Sequence, residues 1–583
     1  MRLAGARFAG WTAAILLSLA IYWPTFSITW AYDDVDYINV ASRMLSGELP
    51  FWRGVFEPQG EHITAGLRLT LFSYLGIIGI DAFAFRVFIA IVHALSGIFL
   101  GVIARHTSGS TRAGIVTSLV YVGACGFSSM WIWQPNGSTV PLSLAMITGA
   151  AALLTRRDRL LARRAAACVL ILAALLTESA FAPMTLLPAV IDEFERYRSG
   201  RRRPGTLTIF TILAIAAVAL IVPRYLGNIG VGMSINIAQG LPRAAFLLFI
   251  APIRLFVPAT HIIAWYLGLK VTELAIIVGV ILALTVPLLL FRLWRKRVPS
   301  LAIVAALSAI GPIGVLLLVG LGRWRSTYWE LYDADRYFFP LLIPIALLAG
   351  AIASSISIRN KFIFAAVIVF LAGELALHRW AMLARIPFDV YGQHAARFEK
   401  LSRVVDALDR EALTIPNNSL YFAEVHNGRI GAAVLTHILS DGSLRPGGPR
   451  VDDATAARIN VVFAKHDPDL RVIDGRLVNT KFVTTANALQ CGESVILMIS
   501  SDDLTLRLAG VAHETLPLGI TATDIQRSVT IPLGTVDVSG EDERTDTLSA
   551  RPYTTKFGHG RRTRLTLECD RVRIISLEAS PHS

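Results

Sequence analysis

Apolar runs of similar length recur along the first two thirds of the chain, at about 8–28, 83–104, 113–131, 138–154, 205–223, 271–291, 300–320, 338–356 and 361–381. Each approaches the ~20 residues that an α-helix needs to cross a bilayer core. A further apolar stretch, 165–194, is too long for one ordinary span and is broken at Thr177-Glu178-Ser179. Arginines flank it on both sides: Arg156, Arg157, Arg159, Arg163 and Arg164 before it, Arg196, Arg198, Arg201, Arg202 and Arg203 after it. A single crossing would leave one of these runs outside, against the tendency of basic loops to stay in the cytoplasm. Two short helices turning at Glu178 satisfy that bias, and the pattern then predicts about eleven transmembrane helices.

With the N-terminus inside, the cytoplasmic connections carry Arg2, Arg7, Arg105, Arg112, both arginine runs, Arg292, Arg295, Lys296, Arg297, Arg359 and Lys361. An odd number of spans places the chain from about residue 384 outside the cytoplasm. The first span lacks a small-residue cleavage site and runs into Trp30 and Tyr32, which suit an interfacial belt, so it is expected to be retained. The expected location is a bacterial inner (plasma) membrane, with a periplasmic C-terminal domain.

Composition supports this division. The chain is 54% hydrophobic and only 17% charged, with a mean hydropathy of +0.56, where soluble proteins carry about a quarter charged residues. Residues 1–384 hold 32 Lys and Arg against 17 Asp and Glu, whereas 385–583 hold 23 against 25, so the net charge of +13 belongs to the membrane part. Those cations sit in short runs between apolar stretches, as loops facing an anionic leaflet do, rather than in one soluble patch. Nucleic acid is excluded as a partner on that ground. The expected organisation is a transmembrane domain over 1–383 and an extracytoplasmic α+β domain over 384–583. The latter has helical patterns at about 392–412 and 428–439, β-like runs at 419–422 and 495–500, and strand-rich sequence from 481 onward.

Three outside segments are longer than simple connections: 29–82, 224–270 with an amphipathic stretch around Ala244 to Pro258, and 321–337. Long outer loops on a bundle are where chemistry is usually placed. The first opens with Tyr32-Asp33-Asp34-Val35-Asp36, and crowded carboxylates need a raised pKa, a metal or a proton to accept. The bland alternative is a solvated helix N-terminus, which Asp favours. Glu61 and His62 follow in the same loop, ahead of Arg68. A Glu-His pair binds metal, orients a base or simply bonds within a turn. The 321–337 loop adds Glu330, Asp333, Asp335, Arg336 and Tyr337 before another span. Guanidinium forks match phosphate oxygens and stay charged; interfacial snorkelling is the alternative for Arg254, Arg323 and Arg336.

The order of these features resembles the type C glycosyltransferases, and most of all their protein O-mannosyltransferase and aminoarabinose-transferase branch. The resemblance covers about residues 8–381 and rests on the acidic pair after the first span and the juxtamembrane helix. It also rests on Asp81-Ala-Phe-Ala-Phe-Arg86 leading to Val92-His93-Ala94, and on Asp335-Arg336-Tyr337-Phe-Phe-Pro340-Leu-Leu-Ile-Pro344. It implies an enzyme that takes a sugar from a polyprenyl-phosphate carrier and transfers it, with inversion, to an outside acceptor: a lipid, a glycan or a protein. It further implies Asp33 as base on the acceptor hydroxyl, with Asp34 in support. The loop Trp131-Ile-Trp-Gln-Pro-Asn136-Gly-Ser138 lacks a carboxylate that many relatives keep, which puts a metal held by two separated acids in doubt. A divalent metal bridging the acidic pair is the one cofactor to consider.

The residues fit this chemistry independently. A sugar phosphate already has a good leaving group, so transfer needs a base and cations to steady the departing phosphate. Asp33 and Asp34 are then the catalytic candidates, and Glu61, His62, Arg68, Asp335, Arg336 and Tyr337 the substrate-binding ones. Glu178, His93, Glu374 and His378 lie within or near spans, and an ion path would make the chain a transporter or flippase. Glu178 and His378 fall near span ends, where water is expected to reach them. An oligosaccharide polymerase or ligase, or a scaffold presenting the C-terminal domain, are the other readings. Outside the cytoplasm, Cys491 and Cys569 are expected either to form a disulfide or to stay as buried thiols.

Overall fold

The computed structural model describes residues 2–26, 28, 30, 37–38, 40–41, 44–45, 47, 49–56, 64–79, 81–124, 134–155, 160–200, 205–228, 236–254, 267–269, 273–274, 277, 300–323, 326, 328, 331, 335–355, 369, 372–373, 375–380, 400–408, 410–413, 452–468, 470–473, 476–479, 486–489, 494–499, 503–510, 516–524, 529–538, 544–549, 552, 561–568 and 572–578. The chain divides into two compact units, Met1–Trp30 with Val40–Gln393, and Ala31–Asn39 with His394–Ser583.

The first unit is helical. Its elements are α1 (Arg2–Tyr22), α2 (Phe51–Phe56), α3 (Ala65–Ile77), α4 (Ala82–Ser108), α5 (Thr111–Gly123), α6 (Gln134–Leu154), α7 (Leu160–Thr177), α8 (Leu186–Arg198), α9 (Thr206–Asn228), α10 (Ile237–Arg254), α11 (Ser300–Ser308), α12 (Ile310–Gly322) and α13 (Leu342–Ser355). Among the described residues, four stretches are long and apolar enough to cross a membrane: Phe8–Thr25, Ala82–Ser108, Gly137–Leu154 and Ser300–Gly322. Shorter apolar helices lie at Ala65–Ile77, Thr206–Val218, Ile237–Ala251 and Phe339–Ser355. The expected span at 271–291 and most of the one at 361–381 fall outside the described residues.

Local sequence explains the ends of these helices. Asp81 caps α4 by accepting from the Ala84 N–H at 3.1 Å, and Gly109 closes it in the left-handed region at φ +70°, where a Cβ would be strained. The 165–194 stretch is interrupted where its polar triplet falls: α7 ends at Thr177, Glu178 caps a 3-10 segment over Ser179–Thr185, and α8 follows. Glu178 and His378, expected to be reached by water, are instead both buried. The Glu178 carboxylate accepts from the Thr139 hydroxyl at 3.1 Å, and His378 Nε2 lies 3.4 Å from the Ile21 carbonyl. A polar group at a helix break is held by neighbouring helices because no water there can satisfy it.

Helix packing relies on small residues, as it must where lipid supplies no hydrophobic drive between helices. A Cβ on Gly101 of α4 would come within 2.7 Å of the Gly114 carbonyl oxygen on α5, and the reverse holds for Gly114. The Ser118 hydroxyl donates to the Gly97 carbonyl at 2.7 Å, and that of Ser18 on α1 to the Ala90 carbonyl on α4 at 2.7 Å. At one end of the unit, α8 turns acidic and meets basic side chains from two other helices. Arg164 donates to Asp192 at 2.8 and 3.0 Å, and His106 lies 3.2 Å from Glu195. These pairs bring the C-terminal end of α4 and the N-terminal end of α7 to the same end of the unit.

In the second unit, residues 400–408 are helical and α14 (Asp453–His466) precedes a hairpin of β1 (Leu470–Ile473) and β2 (Arg476–Asn479). Lys400 Nζ bonds the buried Asp467 at 2.6 Å. The expected helix at 428–439 and strand at 419–422 lie outside the described residues. Eight strands follow: β3 (Ala486–Leu489), β4 (Ser494–Ile499), β5 (Asp503–Gly510), β6 (Leu516–Asp524), β7 (Val529–Val538), β8 (Arg544–Ser549), β9 (Arg561–Glu568) and β10 (Val572–Glu578). They form two antiparallel sheets in the orders β3-β10-β5-β8 and β4-β9-β6-β7. That order is the eight-stranded jelly roll. Along β6, Leu518, Ile520 and Ala522 are buried while Gly519, Thr521 and Thr523 are not, the period-two pattern of a strand with one covered face. A bulge on β7 opposite Ile520 and Thr521 contains Gly534 at φ +146°, and its Cα faces Leu548 of the other sheet closely enough that a Cβ would lie 3.1 Å away.

Candidate functional site

Of the residues singled out by sequence, Asp33, Asp34, Glu61 and His62 lie outside the described residues, as do Asp36, Glu330, Asp333, Glu374, Trp131 and Trp133. Arg68, Arg336 and Tyr337 are described in full, and Asp335 as backbone in a 3-10 turn, Asp335–Tyr337. Among the described residues, no group of three or more His, Cys, Asp or Glu side chains comes together.

The 3-10 turn follows from the sequence Asp-Arg-Tyr-Phe-Phe-Pro. Pro340 supplies no N–H and sits at the start of a second 3-10 turn, Phe339–Leu341, which leads directly into α13. The effect is to bury the aromatic run and to hold Arg336 at its edge, 9% exposed. Arg336 Nη2 donates to the Tyr337 hydroxyl at 2.8 Å, and its guanidinium carbon lies 4.9 Å from the centroid of the same ring. Arg323, the residue that ends α12, lies 5.4 Å from that ring. Two guanidiniums therefore meet at one phenol. Cations attract an aromatic face, and a guanidinium on such a face keeps its forked donors at the edge of the ring.

A third cation anchors the same loop. Arg243 of α10 donates from Nε to the Ser326 carbonyl at 3.0 Å and from Nη1 to the Gln239 carbonyl at 2.8 Å, with Tyr328 5.6 Å from its guanidinium. Phe246 meets Tyr328 edge-on at 4.9 Å. Sequence reading passed over Arg243 because it belongs to another segment, and it left Arg323 open to a snorkelling role; the signal available was the alternation of Arg and aromatic residues in 323–337. Arg254, for which snorkelling was also open, is 3% exposed, so its head group does not reach water.

Arg68 is buried on α3, where Nη1 donates to the Gly54 carbonyl of α2 at 2.9 Å. Gly66, two residues earlier, approaches Thr177 so closely that no Cβ fits, which locks α3 against the end of α7 beside Glu178. Arg86 is likewise buried and donates from Nε to the Ile28 carbonyl at 3.0 Å, tying α4 to the chain that leaves α1. His93 sits within an aromatic cage, its ring centroid 5.4 Å from Tyr121, 5.5 Å from Phe339 and 6.2 Å from Tyr22. That packing suits a core histidine.

No family model matches the chain, and neither does any curated protein. Among solved structures, it is similar to the crystal structure of ArnT from Cupriavidus metallidurans bound to undecaprenyl phosphate, over 73% of this chain and 76% of that one, at 14% identity and a TM-score of 0.37. A likeness of that extent leaves substrate and chemistry to be argued from the residues themselves.

Proposed function

We propose that this chain is an inverting membrane glycosyltransferase that moves a sugar from a polyprenyl-phosphate carrier to an acceptor on the outer side of a bacterial plasma membrane. The observation that carries the reading is the meeting of Arg323 and Arg336 at the Tyr337 ring, in a unit built of apolar helices. A lipid carrier needs an apolar surround for its chain and fixed cations for its phosphate, and guanidiniums supply the forked donors a phosphate takes. Asp33 is the base. It takes the proton of the acceptor hydroxyl as that oxygen bonds to the anomeric carbon, the bond from that carbon to the phosphate oxygen breaks on the opposite face, and the polyprenyl phosphate leaves with its charge met by arginine. Asp34 supports Asp33, with Glu61, His62, Arg68 and Asp335 as further substrate contacts.

The test is transfer by purified protein in lipid nanodiscs, supplied with a panel of polyprenyl-phosphate monosaccharides and scored by release of polyprenyl phosphate. Asp33→Asn keeps the shape of the side chain but accepts no proton, so release is expected to fall by about two to four orders of magnitude, the range for loss of a general base. Wild-type release by Asp33→Asn at saturating donor and acceptor would remove the mechanism. Donor-dependent sugar movement across the membrane without release of carrier would favour a transporter.

A further inference from the structure

A groove of about 820 Å³ runs between α4, α6 and α7. Its walls are apolar, formed by side chains such as Val92, Phe99, Met146 and Leu170, and among the described residues the one charged side chain lining it is Arg163. Arg163 lies at one end, where Nη1 donates to the Leu153 carbonyl near the C-terminus of α6 at 3.3 Å. Its neighbour Arg164 pairs with Asp192 of α8, and α8 also meets His106 at the end of α4, so the Arg163 end of the groove is the charged end of the helical unit. The groove follows α4 from Val92 to Val102, which at 1.5 Å per residue is about 15 Å. That is half of the ~30 Å hydrocarbon core, the depth of one leaflet.

We propose that this groove holds an acyl chain of an anionic glycerophospholipid, with the lipid's phosphate at the Arg163 guanidinium. An apolar wall one leaflet deep, capped by a cation at its membrane-surface end, matches a lipid whose phosphate sits at the interface and whose chain ends near the midplane. A polyprenyl carrier is a poorer match, because the groove stops at half the bilayer. The arginine also sits in one of the chain's basic runs, beside Arg156, Arg157 and Arg159 in sequence, and juxtamembrane basic segments attract the anionic lipids of the cytoplasmic leaflet. Asp81, which caps the other end of α4, lies about 30 Å from Val102 along the helix. The groove is thus separate from a site at that end, and the inference rests on the membrane reading of the helices and not on the transfer reaction.

Native mass spectrometry of the purified full-length protein, with phosphatidylglycerol titrated into detergent, tests the inference. The wild type is expected to retain phosphatidylglycerol in preference to phosphatidylethanolamine. Arg163→Gln removes the phosphate partner and should weaken retention about tenfold, as loss of a hydrogen bond to a charged group does. Ala166→Trp fills the groove from its exposed rim and should abolish retention with Arg163 intact. Arg198→Gln, which removes a cation paired with Glu195 at the same end, should leave retention unchanged. Equal losses in Arg163→Gln and Arg198→Gln, or equal retention of both lipids by the wild type, would reduce the effect to general surface charge and overturn the site. Polyprenyl phosphate displacing phosphatidylglycerol from the wild type but not from Ala166→Trp would also overturn it, by assigning the groove to the carrier.

Discussion

Ser494 on β4 lies opposite Thr566 on β9, the last of six consecutive pairs in an antiparallel ladder that begins at Ile499 and Arg561. Antiparallel register advances one residue on one strand for each residue back on the other. Three further steps beyond Ser494 and Thr566 reach Cys491 and Cys569, which are themselves outside the described residues. Two lone cysteines in an extracytoplasmic domain are expected to pair, so the protein purified without reductant is predicted to contain a disulfide between them. Peptide mapping of the unreduced protein is expected to recover one linked peptide, and its loss on reduction should lower the stability of the second unit by about 2–4 kcal/mol. Alkylation of both cysteines without reduction would rule the bond out.

The contact between Gly101 and Gly114 sets how closely α4 and α5 approach. Gly101→Ala adds one methyl against the Gly114 carbonyl and the Ser118 hydroxyl, an overpacking expected to cost about 1–3 kcal/mol. Gly373→Ala is the matched control, since nothing lies within 4 Å of a Cβ there, and its effect should stay within about 0.5 kcal/mol. Thermal unfolding in detergent distinguishes the two. Equal melting temperatures for both variants would show that the helices separate without cost.

Asp452 caps α14, accepting from the Thr455 N–H at 2.7 Å and the Thr455 hydroxyl at 3.0 Å. The backbone bond first, and the hydroxyl second, hold its carboxyl below the usual carboxylate range. A carboxylate with a depressed folded-state pKa contributes stability that is present above its unfolded value, about 3.9, and is lost as the pH falls through the folded value. Hydrogen exchange at the α14 amides should therefore be faster in Asp452→Ala than in wild type at pH 6, once intrinsic rates are corrected, and the difference should shrink as the pH falls below the usual carboxylate range. Protection that is unchanged at pH 6 would show that the cap contributes nothing.

Tyr337 links the two guanidiniums, so its variants separate the ring from the hydroxyl. Tyr337→Phe keeps the face that Arg323 and Arg336 approach but deletes the acceptor for Arg336 Nη2. On the proposed reading, binding of a polyprenyl phosphate, read by native mass spectrometry, is expected to weaken roughly tenfold as Arg336 loses its orientation. Tyr337→Ala, which loses both, should weaken it further, and Arg336→Lys should fall between wild type and Arg336→Ala because an ammonium lacks the fork. Unaltered binding in Tyr337→Ala would detach this cluster from the phosphate.

Hydrophobic length and the placement of breakers are local properties, and here they reach far. The apolar runs at 83–104 and 138–154 lie within α4 and α6, and the triplet Thr177-Glu178-Ser179 marks where α7 stops, because a polar break in a membrane helix is costly wherever it falls. The strand-rich character of the sequence after 481 is equally local. What the local pattern does not contain is partner choice. Period-two alternation in β6 says that one face is covered, yet the same alternation suits several strand orders, and only non-local pairing, β3 with β10 and β4 with β9, makes the jelly roll. Likewise Arg323 and Arg336 are thirteen positions apart in a polar loop, and nothing in their spacing says that they face one ring; burial of Phe338 and Phe339, the latter against His93 and Tyr121, leaves Tyr337 between them. The lipid-depth groove is the clearest case. Its walls come from helices spread over residues 92–170, none of which carries in its own sequence the sign of a shared groove, and small side chains such as Ala145, Gly149 and Ala166 line it once the helices pack.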